Sequence, residues 1–452
     1  MKQLKSINPH SGELISLVDE LSDEKIGELV SRSFDSFLSY KQISFTQRKK
    51  WMLSAAELLR KNSRHFAGLI TSEMGKLIGE AEAEVQKCAW VCEYYAEHAE
   101  SMLSGREVKS DASESRVMVQ PIGPVLAVMP WNFPFWQVFR FAAPTLMAGN
   151  TALLKHASNV QGCAQAIEAL FTEAGFPEGV FLNLSVGASK VNGIISSPLV
   201  KAVTLTGSEA AGRAVAEAAG RNLKKCVLEL GGNNAFVVLN DADLDRAVEV
   251  ALAARLQNCG QSCIAAKRFI LEEKIHDQFL GMLIENLKEL KSGDPMDPGV
   301  RISPLFSVTQ AYEIDDQVKK SIQKGAVLLF GGEKNQAFYA PAILTEVLPG
   351  MPVFDEETFG PVFAISRARD PRHALELSNT SDFGLGMQVF TSSEDSARMF
   401  IDAAEEGAVF VNGLVKSDPR LPFGGVKNSG FGRELSSEGI LEFVNIKTIW
   451  KA

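Results

Sequence analysis

The chain has 452 residues, of which 46% are hydrophobic and 22% charged, and its formal net charge is −9 at pH 7. A single core stops growing near about 250–300 residues, so this length predicts two or three globular domains. The acidic balance argues against nucleic-acid binding, and no apolar stretch of about 18 residues predicts a membrane segment.

Cysteine usage and the N-terminal sequence bear on the compartment. Six cysteines occur in the chain, and Cys88 and Cys92 have helical spacing rather than the pattern of a secreted disulfide framework. The first residues contain no apolar core of a signal peptide. The sequence therefore predicts a cytoplasmic protein.

The predicted elements follow one another in an α/β order. Residues 22–104 have apolar positions at helical spacing, and residues 116–225 alternate apolar strand runs with helix-length segments. That alternation is typical of a parallel sheet with helical crossovers, and it continues as a second α/β unit to Phe410. Residues 114–120 and 441–450 are instead β-rich without a following helix, and we expect them to pair with a neighbouring subunit.

One cysteine is a candidate nucleophile. Residues 258–263 form a glycine-containing turn between a predicted helix and a predicted strand, and Cys263 is the last of them. Attack requires the thiolate, so we expect backbone amides or positive charge to lower the thiol pKa from its usual value of about 8.5. The alternative is a cysteine that serves only as a small buried hydrophobe.

An asparagine lies where a ligand is expected. Asn132 follows the predicted strand at 125–129 and precedes a predicted helix, so it lies at the carboxyl end of a sheet strand. Its amide is suited to donate to a developing oxyanion, although a helix cap is the competing role. On the predicted helix, four side chains share one face: Phe133, Trp136, Gln137 and Arg140. Arg140 is then either a surface charge or a clamp for a carboxylate.

Two further segments contain candidate site residues. Gly207 and Ser208 follow a strand and begin a helix, which suits a phosphate, although a plain tight turn has the same pattern. Glu229 stands in an apolar run before two glycines. Burial there would raise its pKa toward that of a general base, whereas a solvent-facing strand residue is the alternative.

No metal site is predicted. Residues 241–245 resemble the start of a calcium loop but lack its glycine and its closing glutamate, and they suit the acidic first turn of a helix better. The six histidines are scattered, without the spacing of metal ligands.

Together these motifs resemble the aldehyde dehydrogenase superfamily in their order along the chain. The matching segments are 130–134 (PWNFP), 154–155 (LK), 206–208 (TGS), 229–232 (ELGG), 260–263 (GQSC), 356–361 (EETFGP) and 422–430 (PFGGVKNSG). Within that superfamily the chain is most similar to short bacterial succinate-semialdehyde dehydrogenases. That closer likeness rests on 154–157 (LKHA), 225–229 (KCVLE) and 240–244 (NDADL).

The resemblance implies an NAD(P)-dependent oxidation of succinate semialdehyde to succinate. Cys263 would form a thiohemiacetal and then a thioester, Asn132 would bind the oxyanion, and Glu229 would activate the hydrolytic water. It also implies the residues that bind the dinucleotide: Pro130, Trp131, Lys155, Ser158, Gly207, Ser208, Leu230, Glu357 and Phe359.

One departure from the family pattern concerns the cofactor. NAD-selective relatives have a glutamate three residues after the matching lysine, where this chain has Ser158. A glutamate would repel a 2′-phosphate, whereas Lys155, Ser158 and His156 would accept one. We therefore expect NADP to be preferred, with NAD possible.

A second departure concerns the substrate. The resemblance assigns Arg140 and Ser417 to the terminal carboxylate of a small aldehyde, but Gln257 replaces the second arginine that relatives commonly have. Phe133, Trp136 and Phe423 would provide an apolar funnel. The exact aldehyde therefore stays open.

The resemblance also implies the domain organisation. The fold class is α/β, with a Rossmann-like dinucleotide-binding domain at 1–102 and 122–229 and a second α/β catalytic domain at 230–433. Strands at 103–121 and 434–452 would form a small oligomerisation element of a homodimer or homotetramer.

Three alternatives remain at this stage. The first is a dehydrogenase of another aliphatic or aromatic aldehyde, with the aromatic funnel as its specificity site. The second is a non-catalytic ligand-binding or structural protein on the same fold. The third is an acylating enzyme that uses CoA in place of water.

Overall fold

Two largely parallel sheets with helices on their faces organise the structure, a computed structural model that describes residues 2–452. The first elements are a hairpin and four helices: β1 (Gln3–Ile7), β2 (Leu14–Asp19), α1 (Asp23–Tyr40), α2 (Phe45–Lys61), α3 (Ser63–Met74) and α4 (Ile78–Met102). The helical prediction for residues 22–104 is confirmed. The hairpin escaped prediction because most of its second strand is exposed and lacks an alternating apolar pattern.

The next part of the chain alternates strands and helices. Its elements are β3 (Arg106–Glu107), β4 (Glu114–Pro121), β5 (Pro124–Val128), α5 (Trp136–Met147), β6 (Thr151–Lys155), α6 (Gln161–Glu173), β7 (Phe181–Asn183), α7 (Val191–Ser196), β8 (Ala202–Thr206), α8 (Glu209–Arg221) and β9 (Lys225–Glu229).

A second α/β series follows. It consists of β10 (Asn234–Val238), α9 (Leu244–Leu256), β11 (Ala266–Glu272), α10 (His276–Lys288), α11 (Val308–Gln323), β12 (Val327–Phe330), β13 (Lys334–Asn335), β14 (Phe338–Tyr339), β15 (Ala342–Thr345), α12 (Pro352–Asp355), β16 (Val362–Ala368), α13 (Pro371–Asn379), β17 (Phe383–Gly384), β18 (Met387–Phe390), α14 (Glu394–Ala403) and β19 (Val409–Val411). The chain ends with β20 (Val426–Lys427), β21 (Gly430–Phe431), α15 (Ser436–Ile440) and β22 (Val444–Lys451).

The first sheet has six strands in the order β21-β9-β8-β5-β6-β7, all parallel except β21. The second has seven in the order β12-β15-β16-β11-β10-β18-β19, with only β12 antiparallel. Strands β5, β6, β8 and β10 are almost wholly buried, because helices cover both faces of a parallel sheet. The predicted α/β class is confirmed.

A third sheet lies apart from these two. Strand β22 pairs antiparallel with β4 along eight residues, from Val444 opposite Pro121 to Lys451 opposite Glu114, and β3 extends the sheet. The two β-rich segments therefore pair with each other. The proposed domain limits remain a prediction, and β21 joins the first sheet although it belongs to the range 230–433.

The carboxyl ends of β5, β8 and β9 meet at one edge of the first sheet, which places residues 129–132, 207–208 and 229 together. Crevices at this edge are where open α/β sheets bind ligands. No helix within residues 2–452 has both the length and the apolarity needed to cross a membrane.

Candidate active site

The turn that carries Cys263 has an unusual backbone. Helix α9 ends at Leu256, and Asn258, Cys259 and Gly260 all have positive φ angles of 52°, 52° and 77° before β11 begins. A side chain at Gly260 would clash with the carbonyl oxygen of Gly360. This tight turn therefore depends on glycine at position 260, and it confirms that Cys263 lies on a loop between a helix and a strand.

Two buried cations fix this turn. Lys267, whose side chain is fully buried, donates to the carbonyl oxygens of Ser262 at 3.0 Å and Cys263 at 2.7 Å. Arg255 donates to the carbonyl oxygen of Gly260 at 2.9 Å. Charge-assisted hydrogen bonds of this kind are stronger than neutral ones, so they restrain the nucleophile's backbone.

Cys263 lies between two openings. The first, which we call the helix cavity, has a volume of about 190 Å³. Its lining is Glu80, Ala83, Glu84, Lys87, Phe133, Trp136, Gln137, Arg140, Gln257, Ser262, Cys263, Ile264, Leu414, Val415, Lys416, Ser417 and Phe423.

The second opening, which we call the sheet groove, has a volume of about 300 Å³. It is lined by Pro130, Trp131, Asn132, Gln137, Thr206, Gly207, Ser208, Leu230, Gly231, Cys263, Gln310, Glu313, Glu357 and Phe359. Among residues 2–452, Cys263 and Gln137 are the two that line both openings. A molecule in either opening therefore meets the same thiol.

Asn132 is positioned to donate rather than to cap a helix. Its Nδ2 donates to the carbonyl oxygen of Gln261 at 3.0 Å, and its Oδ1 accepts from Gln137 at 3.2 Å. An amide nitrogen carries two protons, so one N–H remains for a bound oxyanion. The oxygen is meanwhile fixed, which sets the direction of the amide.

Helix α5 begins three residues later than the sequence pattern predicts. Phe133 precedes the helix instead of lying on its face, although it lines the same cavity as Trp136. Glu84 on α4 accepts the backbone N–H groups of Phe135 and Trp136, each at 2.9 Å. The helix start is therefore capped by a carboxylate from another element, which local sequence cannot reveal.

The thiol of Cys263 is not acidified in this state. Burial raises the pKa of Cys263 to about 11, although the positive charges of Arg140 and Lys267 act in the opposite direction. The expectation of a lowered pKa is therefore wrong for the ligand-free protein. Desolvation of a thiolate outweighs two nearby cations that are themselves paired.

Glu229 matches its predicted environment. It is 2% exposed at the end of β9, and its Oε1 has no hydrogen-bond partner. Burial first, and then the negative charge of Glu434, raise its pKa well above the ordinary range. The predicted rise in pKa is confirmed.

Arg140 has a partner that the sequence did not indicate. Its guanidinium forms an ion pair with Glu434, donates to Thr206 at 3.2 Å and lies 4.6 Å from the ring centre of Phe423. Arg140 does line the helix cavity, but the carboxylate of Glu434 balances its charge. The clamp role assigned to it from sequence stays a prediction.

Ser417 belongs to a polar cluster within the helix cavity. Its Oγ accepts from Lys87 Nζ at 2.8 Å and from Trp136 Nε1 at 3.1 Å. Gln257 lines the same cavity. Lys87 was missed because helical periodicity does not tell which polar face of a long buried helix borders a cavity.

The sheet groove suits a dinucleotide. Trp131 stacks on Phe306 with ring centres 3.7 Å apart and meets Phe359 edge-on, which builds an aromatic wall. Glu357 accepts from the Gly232 N–H at 3.0 Å and pairs with Lys267 at 3.1 Å.

Gly231 lies directly beside that carboxylate. A side chain at Gly231 would clash with Glu357. Gly207 and Ser208 line the groove at the N-terminus of α8, where Ser208 caps the helix, and Leu230 borders it too. Helix N–H groups at that place favour a phosphate, so the residues present fit the dinucleotide.

The proposed phosphate pocket contains one correction. His156 is fully buried, its Nε2 lies 2.8 Å from the carbonyl oxygen of Pro134, and burial lowers its pKa to about 4. It is neutral and turned inward, so it cannot bind a 2′-phosphate. Ser158 is half-buried. Lys155 lies at the end of β6 and is buried. Burial lowers the pKa of Lys155, and the negative charge of Glu20 partly opposes this effect.

Comparison with known proteins agrees with this geometry. The model of the aldehyde dehydrogenase family matches residues 1–449. A probable succinate-semialdehyde dehydrogenase (NADP+) from Synechocystis is 46% identical, with 99% of this chain and 100% of the relative covered. Succinate-semialdehyde dehydrogenase (NADP+) 1 from Mycobacterium tuberculosis is 45% identical with the same coverage.

A solved structure is similar to this protein along the whole chain. The succinic semialdehyde dehydrogenase of Streptococcus pyogenes in complex with NADP+ is 37% identical, with 99% of each chain covered and a TM-score of 0.97.

The raised thiol pKa has a measurable consequence. Because a pKa of about 11 leaves the thiol protonated throughout pH 7–9, we expect alkylation of Cys263 by iodoacetamide to accelerate about tenfold per pH unit in the ligand-free protein. Peptide mass spectrometry measures the rate, with Cys263→Ala as the control for other cysteines. A plateau below pH 9 would contradict the raised pKa.

Proposed function

The chain belongs to the aldehyde dehydrogenase family, and from that premise we propose that it oxidises succinate semialdehyde to succinate, with NADP+ preferred and NAD+ usable. The observation that carries the proposal is the position of Cys263, which lines both the helix cavity and the sheet groove. The full-length relatives described above, succinate-semialdehyde dehydrogenases with NADP+, support the same substrate and cofactor.

The first step is attack on the aldehyde. Cys263 loses its proton and its sulfur bonds to the carbonyl carbon, while the carbonyl oxygen becomes an oxyanion. The free N–H of the Asn132 amide and the backbone N–H of Cys263 donate to that oxygen. Protonation of the oxyanion gives a thiohemiacetal on Cys263. A thiolate of high pKa is a strong nucleophile once it has formed.

The sheet groove would hold the nucleotide. Trp131 and Phe359 offer an aromatic wall, Glu357 offers a carboxylate to a ribose, and the N-terminus of α8 offers amides to the pyrophosphate. A bound NADP+ would supply the acceptor for the hydride that leaves the thiohemiacetal carbon, and the hydroxyl proton would pass to solvent as the thioester forms. The residues of the groove would orient the cofactor and provide the electrostatic environment around it.

Hydrolysis then releases the product. Glu229 takes a proton from a water molecule, the water oxygen bonds to the thioester carbon, and the carbon–sulfur bond breaks to return the Cys263 thiolate. Burial and Glu434 give Glu229 a raised pKa, so its ionised form is an effective base.

The helix cavity suits a short aldehyde with a polar end. Phe133, Trp136 and Phe423 provide apolar walls, whereas Arg140 and Ser417 provide polar groups. An uncharged aldehyde would leave the proton of the Ser417 hydroxyl without an acceptor, which costs binding free energy. The similarities provide no support for a non-catalytic or CoA-acylating protein.

We also place oligomerisation at the third sheet. Strand β22 leaves Ile446 and Trp450 exposed by 62% and 55%. An exposed strand with large apolar side chains favours pairing with another copy, so a homodimer or homotetramer is expected. Light scattering of the full chain checks this, and removal of 444–452 should yield smaller species. A monomeric full chain would contradict the assignment.

A panel of aldehydes tests the substrate and the cofactor together. We expect kcat/KM with NADP+ to be at least about tenfold higher for succinate semialdehyde than for pentanal, because hydrogen bonds to a charged group contribute about 1.5–3 kcal/mol. Initial rates of cofactor reduction give these values. Cys263→Ala serves as the inactive control, and an equal preference for the two aldehydes would defeat the proposed substrate.

The same assay addresses the cofactor. NADP+ should give a higher kcat/KM than NAD+, and Ser158→Glu should reverse that order by repelling the 2′-phosphate. Native protein that already favours NAD+ would defeat the assignment of this pocket.

A further inference from the structure

We infer that Lys87, through its ammonium group and together with the hydroxyl of Ser417, binds the terminal carboxylate of the substrate. This inference rests on the proposed function and deepens it, because it assigns the charge that selects a carboxylated aldehyde. Lys87 lies on α4, far in sequence from every motif that identified the site.

The geometry around Ser417 leaves one donor free. Lys87 Nζ and Trp136 Nε1 both donate to Ser417 Oγ, at 2.8 and 3.1 Å. The hydroxyl oxygen therefore has both lone pairs in use, and its own proton is left to donate. The Lys87 ammonium also lies 4.1 Å from the Trp136 ring centre, which orients it by a cation–π contact.

The charges of the surrounding cations point to Lys87 as well. Arg255, a buried cation near Cys263, donates to the backbone carbonyl oxygens of Gly260 and Ala266. Three further buried cations each have a carboxylate partner: Lys76 with Glu84, Arg140 with Glu434, and Lys267 with Glu357. Within residues 2–452, Lys87 has no such ion pair. It is thus a half-buried positive charge that borders the cavity and lacks a counterion.

The environment of Lys87 has the character of an incomplete ion pair. Burial and the charge of Arg140 lower the pKa of Lys87 to about 8, against smaller opposing effects of Cys88, Glu84 and Asp418. Below that pH the ammonium is charged without a close partner. A carboxylate beside it would relieve this cost, because buried charges are stable when paired.

Two groups in the cavity, Glu80 and Glu84, have the opposite sign. Glu80 lines the helix cavity, but burial raises its pKa to about 7, and its carboxylate already accepts the backbone N–H of Asn258. Near neutral pH its charge is therefore reduced. Glu84 is neutralised by Lys76, so neither acid cancels the charge of Lys87.

The test compares Lys87→Met with the native enzyme on succinate semialdehyde and pentanal, with NADP+ present. We expect kcat/KM for succinate semialdehyde to fall about 10- to 100-fold, mainly through KM, because a charge-assisted hydrogen bond is lost. The value for pentanal should change far less. Lys87→Arg keeps the charge and should restore most of the loss.

Lys416→Met is the matched control. Lys416 lines the same cavity but is exposed, and within residues 2–452 it also lacks an ion pair. The substitution therefore removes one positive charge, as Lys87→Met does, but at the rim of the cavity. It should leave the preference between the two aldehydes unchanged. An equal loss after Lys416→Met would mean that the preference depends on the total positive charge around the cavity and not on Lys87 itself, and the assignment to Lys87 would be wrong.

Other outcomes separate the inference from the function that it rests on. Equal losses on both aldehydes after Lys87→Met would show a structural role and overturn the inference. A native enzyme that does not prefer succinate semialdehyde would overturn the proposed function instead. If Lys87→Met does not fold by circular dichroism, Lys87→Gln takes its place with the same expected results.

Discussion

Buried cations hold the turn that carries Cys263, and the rest of the site depends on the position of this turn. That turn places three successive residues at positive φ, a conformation that non-glycine residues adopt rarely and at a free-energy cost. Hydrogen bonds from Lys267 and Arg255 to its carbonyl oxygens offset the cost. Because Lys267 also pairs with Glu357, the nucleophile and the expected ribose ligand are positioned by one ammonium group.

The same arrangement explains how two openings share one thiol. Helix α4 supplies Glu84, which caps α5, and Lys76, which donates to the Asn132 carbonyl oxygen at 2.8 Å. These contacts set the position of Asn132 relative to the Cys263 turn. Glu229 and Glu434 are two buried acids that act on each other, and the positive charge of Arg140 limits the repulsion between them. Paired charges therefore build the site.

Sequence alone predicted the residues at strand ends better than the contacts between distant elements. Gly207 follows β8 and Glu229 ends β9, and the parallel order of those strands brings the two residues together without further information. The Arg140–Glu434 pair joins elements almost 300 residues apart, so no local pattern indicates it. The neutral, inward position of His156 likewise follows only from tertiary burial.

The central claim is that Cys263 becomes acylated by the substrate. The most direct measurement is mass spectrometry of Glu229→Gln, quenched after mixing with NADP+ and succinate semialdehyde and then digested. The account predicts an acyl adduct on the peptide that contains Cys263, together with one equivalent of reduced cofactor per active site. Reduced cofactor without any adduct on that peptide, or an adduct on another cysteine, would contradict it.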